Sequence, residues 1–141
     1  MANYYGTGRS NYFKVKSVES LQTALKGAPF EVLPSTGVPG EVCILARDDD
    51  GGGYWSYVIW AEEPDEEDRE VDVPELIASH LEEGQVAVFV HAGAEKLRYL
   101  HGYSVAVHSD GRQVRVDLDD VYERASAEFG IPRERISHAS Y

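Results

Sequence analysis

The sequence predicts an α+β domain in which helices cover one face of a mostly antiparallel β-sheet. Short segments of alternating apolar and polar residues, which are typical of strands, recur along most of the chain. Three longer segments place their apolar residues at helical spacing. The strands follow one another in consecutive, hairpin-like runs, and this favours antiparallel pairing. We therefore expect one domain over residues 1–141, with the element order β-αβββ-αβββ-α.

The first half of the chain contains a strand, a helix and three further strands. Ser17 is the expected N-cap of the helix, and Gly27 suits the position after its end. The segment GTGRS at 6–10 is interpreted as a turn before the first strand. The run DDDGGG predicts a hairpin connection between the last two strands. The predicted strands are 12–16, 30–33, 41–47 and 54–60, and the helix is 17–27.

The second half repeats this order. Its helix begins with a D-x-x-E capping box formed by Asp72 and Glu75, with Pro74 in the first turn. A last helix follows the strands and ends before Gly130. The shared order favours an internal duplication, although the two halves share almost no residue identity. The predicted helices are 72–84 and 119–130, and the strands are 85–91, 97–108 and 112–118.

The negative charge of the chain is concentrated in its middle. The net charge is −12, yet residues 48–83 carry 14 acidic residues and a single basic one, whereas residues 1–47 carry three acidic and five basic ones. The densest part is EEPDEEDRE at 62–70, in which seven of nine residues are acidic. A field of one sign repels nucleic acid and attracts basic surfaces. We expect an exposed acidic loop over residues 61–71.

Composition and motifs exclude several classes of protein. A single cysteine, Cys43, rules out an internal disulfide and a cysteine-based zinc site, and it fits a reducing cytosol. The apolar runs are too short to span a membrane, and no secretory signal begins the chain. The five histidines form no H-x-x-x-H pair, and the consecutive acids of DDDGGG lack the spacing of a calcium loop. We predict a cytoplasmic protein without metal, cofactor or catalytic residue, because no nucleophile or phosphate-binding motif is present.

The acidic segment resembles a nucleic-acid strand in its linear charge density. An extended chain advances about 3.3–3.6 Å per residue, so these acids lie about 4 Å apart along it. One DNA strand carries a phosphate about every 3.4 Å. The segment therefore has the charge to occupy the basic groove of a nucleic-acid-binding protein. Exposed aromatic residues are the expected anchors beside it, and core packing is their other interpretation. The predicted partner-binding residues are Asp48, Asp49, Asp50, Glu62, Glu63, Asp65, Glu66, Glu67, Asp68, Glu70, Trp55, Tyr57 and Trp60.

The opening ANYYGTGRSNYFKVK, from Ala2 to Lys16, resembles the N-terminal stretch of small acidic proteins carried by phages, plasmids and integrative elements. This resemblance assigns no functional residue to the present chain. Small acidic proteins of mobile elements include antirestriction and anti-CRISPR inhibitors, many of which mimic DNA. The resemblance therefore implies an inhibitor of a host defence complex.

We predict that the chain binds a basic nucleic-acid-binding protein or complex of the host, and neither nucleic acid itself nor a membrane. Two alternatives stay open. One is a regulatory or assembly module of a phage or plasmid, with an acidic loop that is merely solvated. The other is a small enzyme whose site no sequence motif reveals.

Overall fold

The computed structural model describes residues 4–47, 52–97 and 99–139, which form an α+β fold with antiparallel sheets. The main sheet contains seven strands: β1 Tyr5–Ser10, β2 Phe13–Lys14, β3 Phe30–Pro34, β4 Glu41–Ala46, β7 Val86–Glu95, β8 Tyr99–His108 and β9 Gln113–Asp117. A separate two-stranded sheet pairs β5 Ser56–Ile59 with β6 Arg69–Asp72. The helices are α1 Val18–Ala24, α2 Val73–Ile77 and α3 Asp120–Phe129, with short 3-10 helices at Ala78–His80 and Arg133–Arg135.

The main sheet is antiparallel throughout. Strand β3 borders β4, and β1 and β2 lie along the other edge of β4, followed by β7, β8 and β9. Gly8 pairs with Ala46, whereas Phe13 pairs with Val42. This one-residue shift in register marks a β-bulge between β1 and β2. Ten residue pairs join β7 to β8 and make this hairpin the longest pairing in the described sheet.

The helix termini follow the capping residues that the sequence indicates. Ser17 precedes α1, and its side chain accepts a hydrogen bond from the Ser20 N–H at 3.1 Å. Asp72 precedes α2 and accepts one from the Glu75 N–H at 3.2 Å. Gly130 ends α3 in the left-handed conformation at φ 66°, which a residue without a Cβ adopts at little cost. These three predictions are confirmed. The prediction that Gly27 directly follows the first helix is wrong, because α1 ends at Ala24 with Leu25 as its C-cap, and α2 also ends early, at Ile77, and continues as a 3-10 turn.

The core lies on one face of the main sheet. Alternate residues of the strands point into it, including Ile44, Phe89 and Val107. Helices α1 and α2 and the β5–β6 sheet cover this face with Leu21, Leu25, Trp55, Val71, Val73 and Ile77, all at most 2% exposed. Each such apolar side chain contributes about 1.5–3 kcal/mol through burial. Helix α3 has no buried residue, so the expectation that helices cover this face applies to α1 and α2 only.

The prediction of a turn at residues 6–10 is wrong, because this segment is the strand β1 between β4 and β7. Its glycines serve close packing rather than a turn. A Cβ on Gly8 would stand 2.7 Å from the Gly53 carbonyl oxygen and 3.1 Å from Cε2 of Trp55. The chain around Gly53 therefore crosses β1 in direct contact with its backbone, and only glycine leaves room for it.

That crossing also overturns the predicted hairpin between 41–47 and 54–60. Among the described strands, β5 pairs with β6 and not with β4. Trp55 is buried in the core, so the chain after β4 passes over the covered face and leaves the plane of the main sheet. The two halves of the chain consequently differ: β7, β8 and β9 form one meander, whereas the corresponding third strand of the first half belongs to the second sheet. Strand β6 also occupies the end of the predicted loop 61–71.

Candidate interaction surface

The acidic strip, residues 62–70, contains most of the connection between the two strands of the small sheet and the first two residues of β6. Ile59 and Arg69 form the last pair of the β5–β6 ladder. Within the connection, the Ala61 N–H donates to a carboxylate oxygen of Asp68 at 2.7 Å. The Glu66 N–H donates to the Glu63 carbonyl oxygen at 3.1 Å, which closes a turn. The strip is thus a folded hairpin loop, and the expectation of an extended row of charges is wrong.

The strip is fully open to solvent, as expected. Every residue from 62 to 70 is exposed. Among the described residues, no ion pair within 4.0 Å includes a carboxylate of the strip. The one cation of the segment, Arg69, donates instead to the Lys26 carbonyl oxygen at 2.8 Å, just beyond the end of α1. The charge of the strip is therefore not neutralised within the described chain.

Two of the seven carboxylates of the strip accept hydrogen bonds within the described chain. Asp68 accepts from the Ala61 amide, and Glu70 accepts a long hydrogen bond of 3.4 Å from the Ser56 hydroxyl. The carboxylates of the remaining five accept none from described residues, and these five residues surround the turn of the loop. We name these five the acidic tip: Glu62, Glu63, Asp65, Glu66 and Glu67. The further predicted acids Asp48, Asp49 and Asp50 lie outside the described residues.

The three aromatic residues predicted as anchors lie in different environments. Trp60 is 72% exposed and directly precedes the strip, and Tyr57 is half-buried. Trp55 is 1% exposed and stacks on Phe30, with ring centroids 5.8 Å apart. Its indole N–H donates to the Val90 carbonyl oxygen at 3.1 Å. The prediction of Trp55 as an interface anchor is therefore wrong, because the side chain belongs to the core.

A second polar region, which the sequence did not reveal, lies where β1, β7 and β8 meet the chain around Gly53. His91 is 1% exposed, and its Nδ1 lies 2.8 Å from the Gly53 carbonyl oxygen. A carbonyl only accepts, so Nδ1 carries the proton and Nε2 accepts from the Tyr4 hydroxyl at 2.6 Å. Rings of four further residues surround the imidazole. We name the group the tyrosine–histidine cluster: Tyr4, Tyr54, His91, His101 and Tyr103.

Burial dominates the electrostatics of this cluster. It lowers the pKa of His91, because the charged imidazolium would lose its hydration, and the nearby His101 acts in the same direction. Burial likewise raises the pKa of the Tyr4 phenol above its ordinary range. Burial also raises the pKa of Tyr103, against the opposing effects of the Trp55 N–H and of Arg115. All three side chains are consequently neutral near pH 7.

At the solvent edge of the cluster, Arg115 places its guanidinium carbon 4.2 Å from the centre of the Tyr103 ring. The same guanidinium donates two hydrogen bonds to the Asp117 carboxylate, at 2.9 and 3.0 Å. This pairing lowers the pKa of Asp117. The cluster is thus internally satisfied: both His91 nitrogens form hydrogen bonds within the chain, and the side chain is buried.

The residues of the cluster are far apart in sequence, so no motif announces them. One signal was nevertheless present. In the predicted strand 85–91, His91 alternates in phase with Ala87 and Phe89, which places it on the buried face. A buried histidine needs partners for both ring nitrogens, and the sequence contains no indication that Tyr4 and Gly53 supply them.

Comparisons of the chain with protein-family models, with curated proteins and with solved structures found no match. Among the described residues, no group of three or more metal-ligating side chains is arranged to hold a metal ion. No helix of the described chain has the length and apolar character needed to cross a membrane. The acidic strip and the tyrosine–histidine cluster are therefore the two features on which a functional interpretation must rest.

Proposed function

We propose that this protein is a mobile-element inhibitor that binds a basic nucleic-acid-processing defence complex of the host in the cytoplasm, of anti-CRISPR or antirestriction type. The observation that carries this proposal is the acidic tip. Its five carboxylates are exposed, and none is paired with a cation of the described chain. The tip takes the place of nucleic-acid phosphates on the target.

Binding of the acidic tip to a basic partner is favoured because the free protein holds like charges close together, which costs free energy. Two unit charges about 4 Å apart in water interact with about 1 kcal/mol, and more where a partner excludes solvent. Among the described residues, no cation forms an ion pair with the tip to relieve this repulsion. A surface of lysine and arginine side chains relieves it on binding, as it does for phosphates whose counterions are released. A match of this kind accelerates association above all.

The shape of the strip determines which surface it fits. A folded hairpin loop presents its charges around a point, whereas a nucleic-acid strand presents them along a line. The tip therefore suits a compact basic pocket or the mouth of a nucleic-acid channel better than a long groove. Trp60, exposed beside the tip, supplies an aromatic anchor of the kind that concentrates binding energy at interfaces.

Binding rather than catalysis is also favoured by the tyrosine–histidine cluster. Its titratable groups are the natural candidates for an active site, and a catalytic histidine needs one nitrogen within reach of a substrate. Here the carbonyl of Gly53 and the hydroxyl of Tyr4 occupy both nitrogens of His91, and the side chain is sealed from solvent. This arrangement supports a structural role for the cluster and leaves function to the exposed acidic tip.

The proposal is tested by phage plating on bacteria that carry defined restriction or CRISPR–Cas systems and express the protein. Wild type should restore plating on at least one such host. Glu62, Glu63, Glu66 and Glu67 changed together to Ser should abolish this effect. The matched control changes four other exposed glutamates to Ser, namely Glu82, Glu83, Glu128 and Glu134, and should keep it.

Both variants lose four carboxylates, so they separate the position of the charge from its amount. Equal activity of the tip variant and wild type would contradict the proposal and favour a loop that is merely solvated. Equal loss of activity in both variants would show that only total charge matters, which also contradicts a binding tip.

A further inference from the structure

Two adjoining depressions lie on the outer face of the main sheet, which is the face opposite the core. The first, of about 370 Å³, lies over β1, β4 and β7, and the second, of about 280 Å³, lies over β7, β8 and β9. They share Val90 and Ala92 of β7 as lining residues, so together they form one groove across the strands. Small ligands occupy pockets of about 300–1,000 Å³. We name this pair of depressions the outer groove.

One end of the outer groove is basic. Arg9 of β1 and Arg47, which follows β4, both line the first depression. Arg9 is the direct partner of Leu45 in the sheet, and Arg47 follows Leu45 by two residues, so the two arginines are diagonal neighbours on the same face. Diagonal neighbours lie about 7–8 Å apart, which lets two long side chains contact one anionic group between them.

Both guanidinium groups keep donors for a ligand. The only hydrogen bond of the Arg9 guanidinium to a described residue is a long one of 3.4 Å, from Nε to the Ser10 carbonyl oxygen. Arg47 forms an ion pair with Glu31 through one terminal nitrogen, and its other donors have no partner in the described chain. A guanidinium has five N–H donors in a planar fork that matches a carboxylate. Among the described residues, two cations and one carboxylate leave this end with one net positive charge, which suits a monoanion.

The rest of the outer groove is mainly apolar. Val90 is 45% exposed at its centre, and Val116 and Leu118 line the far end with exposures of 47% and 59%. The one acidic residue among the described lining, Asp117, directs its carboxylate to Arg115 on the covered side of the sheet. The far end therefore presents exposed apolar side chains and no carboxylate to a ligand.

We propose that the outer groove binds an acyl-chain monoanion, a carboxylate with an unbranched hydrocarbon tail. The carboxylate lies between Arg9 and Arg47, and the tail crosses Val90 towards Leu118. Neighbouring strands are about 4.8 Å apart, so the groove extends about 14 Å from β1 across β7 and β8 to β9. Carbon–carbon bonds are about 1.5 Å long, so a zigzag chain of about twelve carbons covers this length. Burial of the tail against the exposed apolar side chains drives binding, and the arginine pair selects the anionic head.

Charge favours a small monoanion over a polyanion. The chain has a net charge of −12, which repels a polyanion such as nucleic acid. A small monoanion responds mainly to charges within about one Debye length, about 8 Å at physiological ionic strength. The acidic strip belongs to the small sheet, which packs on the core face of the main sheet, and packed sheets lie about 10 Å apart. Its repulsion is therefore screened at the outer groove.

The test is a titration of the isotope-labelled full chain with dodecanoate, followed through the amide chemical shifts. Wild type should bind with a Kd below about 1 mM and show saturable shifts at Arg9, Val90 and Ala92. Arg9→Gln should weaken binding at least about tenfold, because it removes a charged donor from the head site. The matched control Arg124→Gln removes an exposed arginine of α3 and should bind as wild type does.

A second variant and a second ligand test the tail and the charge of the head. Ala92→Phe adds a ring at an exposed position of the groove and should weaken binding at least about tenfold, while the strand accommodates an aromatic residue. Arg9→Gln decides the question alone if Ala92→Phe does not fold. Dodecyltrimethylammonium, which has the same tail and the opposite charge, should cause no saturable shifts in the outer groove.

Four results would overturn the proposal. Wild type may give no saturable shifts in the groove, or it may bind the cation as tightly as dodecanoate. Equal affinity of wild type and either groove variant would show that the ligand lies elsewhere. Binding to phosphatidylglycerol vesicles without binding to monomeric dodecanoate would indicate a membrane surface instead.

Discussion

The acidic strip and the tyrosine–histidine cluster are both rich in titratable groups, but they differ in whether these groups have hydrogen-bond or ion-pair partners within the chain. In the cluster, each polar atom of His91 meets a partner of the same chain, and the side chain is sealed from water. In the strip, five carboxylates meet neither a cation nor a donor among the described residues. Groups that are satisfied internally contribute to stability, whereas groups left unsatisfied at the surface remain available to a partner. This contrast indicates a stabilising role for the cluster and supports the proposal that the strip binds a partner.

The glycine crossing beneath the cluster should give the largest effect on stability. Gly8→Ala places a methyl group 2.7 Å from the Gly53 carbonyl oxygen, and the backbone cannot move away without shifting Trp55. We expect a loss of about 1–3 kcal/mol in the free energy of unfolding, measured by urea denaturation. Gly37→Ala is the matched control, because a Cβ there meets nothing within 4 Å. Equal effects at the two positions would contradict the close crossing.

Replacing the buried imidazole of His91 should give the second largest loss of stability. His91→Phe keeps a ring of similar size but leaves the Tyr4 hydroxyl and the Gly53 carbonyl without their partner. A buried polar group left unsatisfied costs about 1–3 kcal/mol, so we expect a loss of about 2 kcal/mol in the free energy of unfolding. His101→Phe, at an exposed position beside it, should change stability by less than about 0.5 kcal/mol. A stable His91→Phe protein would show that the two hydrogen bonds contribute little.

Acid should weaken the fold through the same side chain. Burial lowers the pKa of folded His91 below the ordinary value of 6.5, so below pH 6.5 the unfolded chain binds the proton more readily than the folded one. Stability is therefore complete above pH 6.5 and decreases as the pH falls from there to the lowered pKa of the folded state. His80, whose pKa is also lowered by burial, acts in the same direction.

The difference between wild type and His91→Phe isolates the contribution of His91 from that of His80. We expect the unfolding free energy of the variant to depend less on pH between about 6.5 and the onset of carboxylate titration near pH 4. Identical pH profiles of the two proteins would show that His91 does not remain neutral in the fold.

The smallest effect on stability should come from the acidic tip. Glu62, Glu63, Glu66 and Glu67 changed to Ser remove exposed charges that stabilise nothing in the described chain. The free energy of unfolding should change by less than about 0.5 kcal/mol, with any change favouring the folded state at low salt as repulsion is relieved. A large loss in the free energy of unfolding would show that the tip stabilises the folded chain, and it would contradict the difference drawn between the tip and the cluster.

Local patterns predicted most elements of this fold, and tertiary contacts explain the exceptions. Ser17, Asp72 and Gly130 act through neighbouring backbone groups, so the sequence alone identifies the starts of α1 and α2 and the end of α3. It does not identify the ends of α1 and α2, which lie before the predicted residues 27 and 84. The sequence does not predict strand β1, because its alternating glycines resemble a turn. These positions require glycine because a chain segment more than 40 residues away in sequence crosses the strand at close contact. The pairing of β5 with β6 was missed because a strand rich in acidic residues has low β-propensity, which its buried Val71 overrides.

The candidate site was predictable in its exposure and not in its shape. Residues 62–70 contain nothing to bury, so their exposure follows from composition. Their turn depends on the Ala61 amide and the Asp68 carboxylate, a contact that composition does not encode. Trp55 was predicted as an anchor because an aromatic side chain suits a core and an interface equally well. It belongs to the core because the chain crosses the covered face of the sheet at Gly53.

The most direct test of the central claim is competition for a partner isolated with the wild-type protein from a host in which it restores phage plating. Association of that partner with immobilised wild type is measured as the concentration of double-stranded DNA or RNA increases, and as salt increases from about 0.1 to about 1 M, which shortens the Debye length from about 10 to about 3 Å. The account predicts that nucleic acid and wild type exclude each other, that association slows steeply with salt, and that the tip variant associates at least about tenfold more slowly than the Glu82, Glu83, Glu128 and Glu134 control. Simultaneous binding of nucleic acid and protein, with the tip variant and the control associating equally fast, would contradict it.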